Sequence, residues 1–536
     1  MPAGTGDAGH GPPRVNPLAF FPDDMMKAMR NRDTVNPRGL ILAALMCTMM
    51  LAAMDTTIVS TAIPQIVADL GGFRLFSWVF SIYLLAQTVT IPIYGKLSDL
   101  FGRKPVLIAG TLIFLAGSTA SSLSWNMLSL IVFRGAQGLG AGAVMATVST
   151  LAGDLYSVRE RAAVQGWLSS VWGVAAIVGP LLGGAFAEYV SWRWIFLVNL
   201  PVGALALILI GTFLHEDFER GRPRIDYLGS ALVLASVGTV IFGLLQGGQA
   251  WAWGSPESIA VFVIAALLLA ATVWVERRAA EPVMPGWLWR RRVLAGSNLA
   301  VVGMGLVMMA PSSYLPTFLQ SVQGLGPIAA GMVLASMSLG WPVASALSGR
   351  LYTRIGFRDT ALFGAILMFL ASAGFLFLPR PQPVWTVVLD QIVLGAGFGL
   401  LSTPLLVGVQ SVVGWGRRGV VTGVNMFSRY LGQSLGAALF GAVFNAAIAG
   451  RLATAPASVA GNLPPNVNDV IGALHNAHTG AAAQTYLRDS IDLATRHLFL
   501  GMAVIGVIVL LVIFVAPRDF PILDDKESGQ PSPVRR

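Results

Sequence analysis

Long apolar stretches separated by short polar turns run through the whole chain. They fall at roughly 40–63, 75–95, 105–124, 126–150, 163–187, 192–214, 227–246, 257–275, 297–320, 327–348, 359–378, 385–411, 419–447 and 493–516, each long enough for the ~20 residues a helix needs to cross the hydrocarbon core. No ten-residue alternation of a barrel strand is present, and an open sheet leaves unpaired edges in lipid. The pattern therefore predicts an all-α polytopic membrane protein with fourteen transmembrane helices. The first stretch, residues 39–64, carries a single charge, Asp55. A carboxylate part-way along such a helix is costly and marks a functional site by default.

Composition agrees with that class. The 536 residues are 55% hydrophobic and only 11% charged, with a mean hydropathy of +0.70. The formal charge of +9 would suggest a nucleic-acid partner in a soluble domain, so its placement decides. Arg134 and Arg429 fall within helices, and Arg74, Arg193, Arg380, Arg451, Arg488 and Arg496 fall on one side. The other 27 of the 35 Lys and Arg fall on the opposite side, together with both ends of the chain. The positive-inside rule makes that side cytoplasmic, predicts both termini there, and removes the need for nucleic acid. No cleavable signal peptide is expected, because the first apolar run is too long for one. The single Cys47 excludes an intrachain disulfide.

Glycines reveal a repeat. Gly138, Gly140 and Gly142 recur as Gly395, Gly397 and Gly399, and Gly166, Gly179 and Gly184 recur as Gly423, Gly436 and Gly441, all 257 residues on. Two six-helix halves related by a parallel repeat are predicted, with two extra helices between them and a binding site between the halves. The expected divisions are a cytoplasmic tail 1–38, a first half 39–214, the extra helices with their linkers 215–296, a second half 297–516 with a long outer loop 448–492, and a tail 517–536. His475 and His478 lie in that loop without a third ligand, so a solvated loop is expected rather than a metal site.

Arg134 is predicted to lie at about the depth of Asp55, each roughly eight residues from the outer end of its helix at ~1.5 Å per residue. A proton-coupling pair and a structural ion pair both fit that placement. Arg429 lies mid-helix, with Asn425 and Gln433 one turn away on either side, a polar stripe suited to a cavity. Asp390, near the outer end of its helix, fits either a cavity mouth or an ordinary interface. Tyr83, Gln87, Tyr314, Met308 and Met332 are further cavity candidates, with core packing as the alternative. Gly432-Gln433-Ser434-Leu435-Gly436 has the spacing of a nucleophile elbow but lies in an apolar helix, where Gly432 and Gly436 make a packing face. Gly4-Thr5-Gly6-Asp7-Ala8-Gly9 fits a dinucleotide fingerprint but no strand precedes it.

Several motifs carry a family resemblance. The first inner loop, Gly95-Lys96-Leu97-Ser98-Asp99-Leu100-Phe101-Gly102-Arg103-Lys104, resembles the signature loop of the major facilitator superfamily. The resemblance implies that Asp99 and Arg103 latch the two halves in the outward-facing state, with Gly95, Gly102 and Lys104 completing the loop. The second copy, Gly349 to Arg358, has Thr353 where Asp99 stands, which puts a second latch in doubt. Arg134-Gly135-Ala136-Gln137-Gly138 resembles the family's arginine motif, linked there to proton transfer. Gly179-Pro180-Leu181-Leu182-Gly183-Gly184 resembles the motif that separates antiporters from symporters, with Ala175 in place of its leading glycine. The segments around Asp55-Thr56-Thr57 and Ser191-Trp192-Arg193-Trp194 are similar to those of the fourteen-helix drug:proton antiporter branch (EmrB/QacA-like), over residues 39–516.

The resemblance implies an inner-membrane antiporter that exchanges protons for amphiphilic or cationic drugs and toxic compounds. Its partners would be the substrate, protons and the bilayer, and an envelope-spanning accessory protein stays open. No cofactor, metal or enzymatic activity is expected, the proton gradient supplying the energy. A transporter of a specific metabolite, lipid or siderophore-like compound is the alternative, and a proton-driven importer fits the Gly179-Pro180 motif less well. A membrane enzyme or receptor is remote, since no clustered nucleophile and base appear.

Overall fold

The computed structural model describes residues 37–72, 75–216, 226–247, 251–378, 382–465, 467–475 and 480–523. The Gly4–Gly9 run, Arg74, Arg380 and His478 lie outside them, as does the side chain of His475. Among the described residues, fourteen helices are long and apolar enough to cross a membrane. They are α1 (Arg38–Thr61), α2 (Trp78–Phe101), α3 (Arg103–Ser122), α4 (Met127–Leu155), α5 (Val158–Tyr189), α6 (Trp194–Phe213), α7 (Tyr227–Gln246), α8 (Pro256–Glu276), α9 (Arg292–Ser321), α10 (Pro327–Ile355), α11 (Phe357–Phe377), α12 (Val384–Ser411), α13 (Trp415–Ala453) and α14 (Ala481–Val515).

Local chemistry sets the helix ends. Ala62 leaves helical geometry two residues before Pro64, whose missing N–H is harmless near the start of the short helix Ile63–Leu70. The inner loop expected from residue 95 is not a loop. α2 runs on to Phe101, and the chain reverses at Gly102 alone, with φ +93°. Lys96, Ser98 and Asp99 are polar without being helix breakers, so only the left-handed residue, where a side chain is strained, forces the turn. Gly356 repeats this between α10 and α11 with φ +90°. The outer loop is also shorter than 448–492, because α13 extends to Ala453 and α14 begins at Ala481. Ala483, Leu487, Ile491 and Ala494 are buried on one face of α14 while Arg488 and Asp489 point away. That helical period is hidden when hydropathy is averaged over a window.

The buried side chains form two large clusters, one mainly from α1–α6 that also takes in residues of α7 and α13, and one from α9–α14. The extra helices α7 and α8 pack on each other, and α7 leans on α2 and α13. α8 is exposed along most of its length, as expected of a helix facing lipid. Two helix pairs make the main joins between the halves, α2 with α13 and α5 with α10, and α4 with α13 and α5 with α12 add smaller ones. Both described ends of the chain lie at one face of the bundle, where the Tyr156 hydroxyl donates to the carbonyl of Arg38 and the Leu523 N–H donates to that of Ser411. This is called the termini face below.

Candidate functional site

α1 places Asp55 in the interior of the first half, with none of its surface exposed. Arg134 of α4 meets it, with Nη1 2.5 Å from Oδ2, and Gln137, one turn along α4, donates from Nε2 to Oδ1 at 2.8 Å. Arg134 also donates to Gln137 Oε1 and to the carbonyl of Val79, and its guanidinium lies 4.3 Å from the centre of the Tyr83 ring. The carboxylate and guanidinium are thus closed into a dry triad. A buried pair in this arrangement is costly to break from one side only, since the surviving charge has no water to turn to.

The helix that carries Asp55 is gripped by α5. Thr57 Oγ1 donates to the carbonyl of Ala175 at 2.9 Å, and Gly179 and Gly183 sit so close to Thr57, Ile58 and Thr61 that a methyl group at either would overlap them. Gly184 faces open space, and Pro180 lies inside the helix. Small residues here let two membrane helices touch backbone to backbone. Ala175, fully buried, fills the place of a leading glycine without separating them.

At the termini face a second charged group joins the halves. Asp99 accepts from the N–H groups of Gly419 and Val420, both at 2.9 Å, at the start of the regular part of α13, where the helix dipole favours an anion. Arg103 bridges Asp99 and Asp154 at 2.8 Å each, and Arg418 reaches Asp154 at 3.1 Å. All four are buried, and the Arg103 guanidinium lies 3.6 Å from the centre of the Trp415 ring. Lys104 caps the far end of α6 through the carbonyls of Gly211 and Leu214, while Glu216 accepts from the N–H groups of Arg103 and Lys104. Gly95 abuts Gly419 so closely that a side chain on either would displace the other backbone.

Between the halves lies a cavity of about 510 Å³, within the range of small-molecule sites. α1, α2, α4 and α5 wall one side and α9, α10, α12 and α13 the other. Gln87, Met308, Asn425, Arg429 and Gln433 line it. Tyr83, Tyr314, Asp390 and Met332 do not. Tyr83 packs beneath Arg134, Tyr314 against Phe444, and Met332 is exposed. Asp390 is buried in its own half, accepting from Gln391 Nε2 at 3.0 Å. Gly432 and Gly436 pack against Val302 and Leu306 of α9, the packing face their spacing implies. No cluster of metal-binding side chains occurs among the described residues.

Gln137, Asp154, Arg418 and Trp415 were not singled out from the sequence. The repeat carries part of the signal, since Arg161 and Arg418 stand 257 residues apart like the glycines. Asp154 has Ser411 at that offset, so nothing in the repeat marks it.

Multidrug transporter protein MdtP of Bacillus subtilis (strain 168) is 33% identical over 418 residues, 76% of either chain. Multidrug resistance protein 3 of the same organism is 34% identical over 409 residues, 76% of this chain and 78% of that one. Efflux pump FUS6 of Gibberella fujikuroi is 33% identical over 421 residues, 76% and 75%. Among solved structures, the human organic anion transporter MFSD10 matches 89% of this chain and 100% of its own with a TM-score of 0.59, and the proton:xylose symporter XylE matches 91% and 98% with 0.56. At 14% identity each, both speak for the fold alone. Residues 45–437 match the profile of the Major Facilitator Superfamily, and the chain belongs to that family as a fourteen-helix member.

Proposed function

We propose that the protein is a proton-driven exporter of amphiphilic compounds, drugs and other toxic small molecules among them, across a bacterial inner membrane, with the termini face cytoplasmic. The observation that carries this reading is the buried Asp55–Arg134–Gln137 triad, pressed by α5 and next in the chain to Thr56 and Thr57 of the cavity wall. Charge placement along the chain supports the orientation. The names of the relatives support export.

In the arrangement described, the crossings at the termini face are shut, so the cavity belongs to an outward-facing or occluded state. Protonation of Asp55 removes the charge that holds Arg134 and Gln137, freeing α1 to shift against α4 and α5. Reorientation then exposes Asp55 to the cytoplasm, where loss of the proton restores the triad and closes the cycle. Each proton entering down a potential of 100 mV supplies about 2.3 kcal/mol. Asp99, Arg103, Asp154 and Arg418 hold the outward state until that shift, and no cofactor is needed.

The test uses inverted vesicles carrying the protein, with an acidified lumen and a pH-sensitive dye. Substrate addition is expected to restore dye fluorescence for the wild type and not for Asp55→Asn, which keeps the shape of the side chain but cannot ionise. An Asp55→Asn protein that still moves substrate against a gradient defeats the assignment of Asp55.

A further inference from the structure

We infer that the central cavity takes organic anions, amphiphiles whose apolar body ends in a carboxylate or sulfonate. The inference rests on the export reading and narrows its substrate class, against the cationic compounds that the sequence suggests.

Among the described residues lining the cavity Arg429 is the one that is charged, and arginine stays charged at any physiological pH. Its Nε is buried without a hydrogen-bond partner, and its guanidinium carbon lies 5.1 Å from the centre of the Tyr430 ring. Three fully buried arginines of the bundle contrast with this partly buried one, since Arg134, Arg103 and Arg418 each hold a carboxylate. Asp390, the acid buried in α12 of the same half, does not reach it. Arg429 lies eleven residues into α13 from Arg418, about 17 Å, whereas Asp390 lies some twenty residues into α12 from Ser411, about 31 Å, so the two differ in depth by about 15 Å. A guanidinium kept at mid-membrane without a counter-ion has a site for one, and its planar fork matches a carboxylate in two parallel hydrogen bonds.

The neighbours extend the same pattern. Gln433 spends its amide N–H on the sulfur of Met308 at 3.4 Å, a weak acceptor that an anion's oxygen would displace. Gln87 donates from Nε2 to the Tyr430 hydroxyl and leaves its Oε1 buried and unpaired, an acceptor for a donor on the substrate and not for its anionic end. Trp172 and Trp341 stand in opposite walls with Leu168, Met145 and Leu406, a dry bed for the apolar body. A cation would lose its water and meet Arg429 with no acid to answer it.

The experiment measures binding to wild-type protein in nanodiscs by quenching of tryptophan fluorescence. Three probes share one body: 6-(2-naphthyl)hexanoate, its primary amide, and the matching trimethylammonium compound. A charge-assisted bond is worth roughly a tenfold to hundredfold gain, so the carboxylate should bind at least ~10-fold tighter than the amide, and the ammonium weakest. Arg429→Gln should bring the carboxylate down to the amide, leave the amide within about twofold, and Arg429→Lys should recover part of the gap. Ammonium binding as tight as carboxylate, a carboxylate-to-amide ratio untouched by Arg429→Gln, or no binding of any probe each overturns the inference. The same probes in the vesicle assay separate it from the export reading. Proton-driven flux of the ammonium alone rejects the anion site and keeps export. Carboxylate binding that depends on Arg429, with no flux, keeps the anion site and rejects export. One carboxylate leaving per proton entering also moves two charges in the same electrical sense, so an imposed potential should speed carboxylate export more than amide export.

Discussion

The two crossings that join the halves use one backbone frame with different chemistry. At α2 and α13, Gly95 meets Gly419, and at α10 and α5, Gly349 meets Ala162. The chain reverses at Gly102 in one and at Gly356 in the other. Where the first holds Asp99, Arg103 and Asp154, the second copy of the loop has Thr353 and Phe357, and the 257-residue offset gives Ser411, to which the buried Arg161, counterpart of Arg418, donates. Thr353 turns back to the carbonyl of its own Gly349, and the Tyr352 hydroxyl reaches across to the carbonyl of Val158. Beneath Arg103 lies the Trp415 ring, and beneath Phe357 lies the Phe520 ring, 5.4 Å between centres. A charged network is favourable only while aligned, and costly once its members part in a dry site. An apolar contact has no such direction and tolerates sliding. The first crossing is built to open as a switch, the second to serve as a pivot.

The largest expected effect comes from Asp154, which is buried against two arginines. Asp154→Ala strands Arg103 and Arg418 together, so it should cost about 3–5 kcal/mol of stability and abolish transport. Thermal unfolding of the purified protein, read beside the vesicle assay, checks both. Tyr352→Phe removes one neutral hydroxyl at the other crossing and should cost only about 0.5–1.5 kcal/mol, with transport retained. The two changes together should add within about 0.5 kcal/mol, because the sites share no partner. A Tyr352→Phe protein as damaged as Asp154→Ala would make the two crossings energetically alike and end the distinction between switch and pivot.

Much of this frame was legible in the sequence because it is written in composition. Fourteen apolar runs, the glycine offset and the isolated Asp55 and Arg134 are all consequences of the low dielectric of lipid, which leaves few solutions for backbone or charge. What escaped was whatever depends on two distant segments meeting. Asp154 reads as an ordinary polar residue at a helix end, and only the fold sets it between Arg103 and Arg418. Tyr83 and Tyr314 read as cavity aromatics but pack beneath Arg134 and against Phe444, because rotation of a helix about its axis leaves no trace in hydropathy. The polar run 95–101 resembled a loop for a related reason. Helices continue through polar residues once they leave the apolar core, and only Gly102 ends this one.

The smallest effect belongs to an ion pair that sharpens the contrast by its exposure. On the face opposite the termini, Asp69 accepts from the Trp192 indole at 2.9 Å and from Arg193 at 2.7 Å, with about half of its side chain open to water. The bond from Trp192, and then that from Arg193, hold its carboxyl below the usual carboxylate range. A depressed value means that the folded state binds this proton less readily than the unfolded chain does. The stabilisation is therefore present above the unfolded value, near 3.9, and is lost as pH falls through the folded one. Asp69→Asn mimics the protonated acid, so its melting temperature should sit slightly below that of the wild type at neutral pH. The gap should close as both are acidified below about pH 4. Added salt should shrink the gap at neutral pH, since exposed charges are screened, while the Asp154→Ala defect should hardly respond. A gap that ignores both salt and acid would mean that Asp69 acts through packing, and exposure would then not be what separates the outer pair from the buried network.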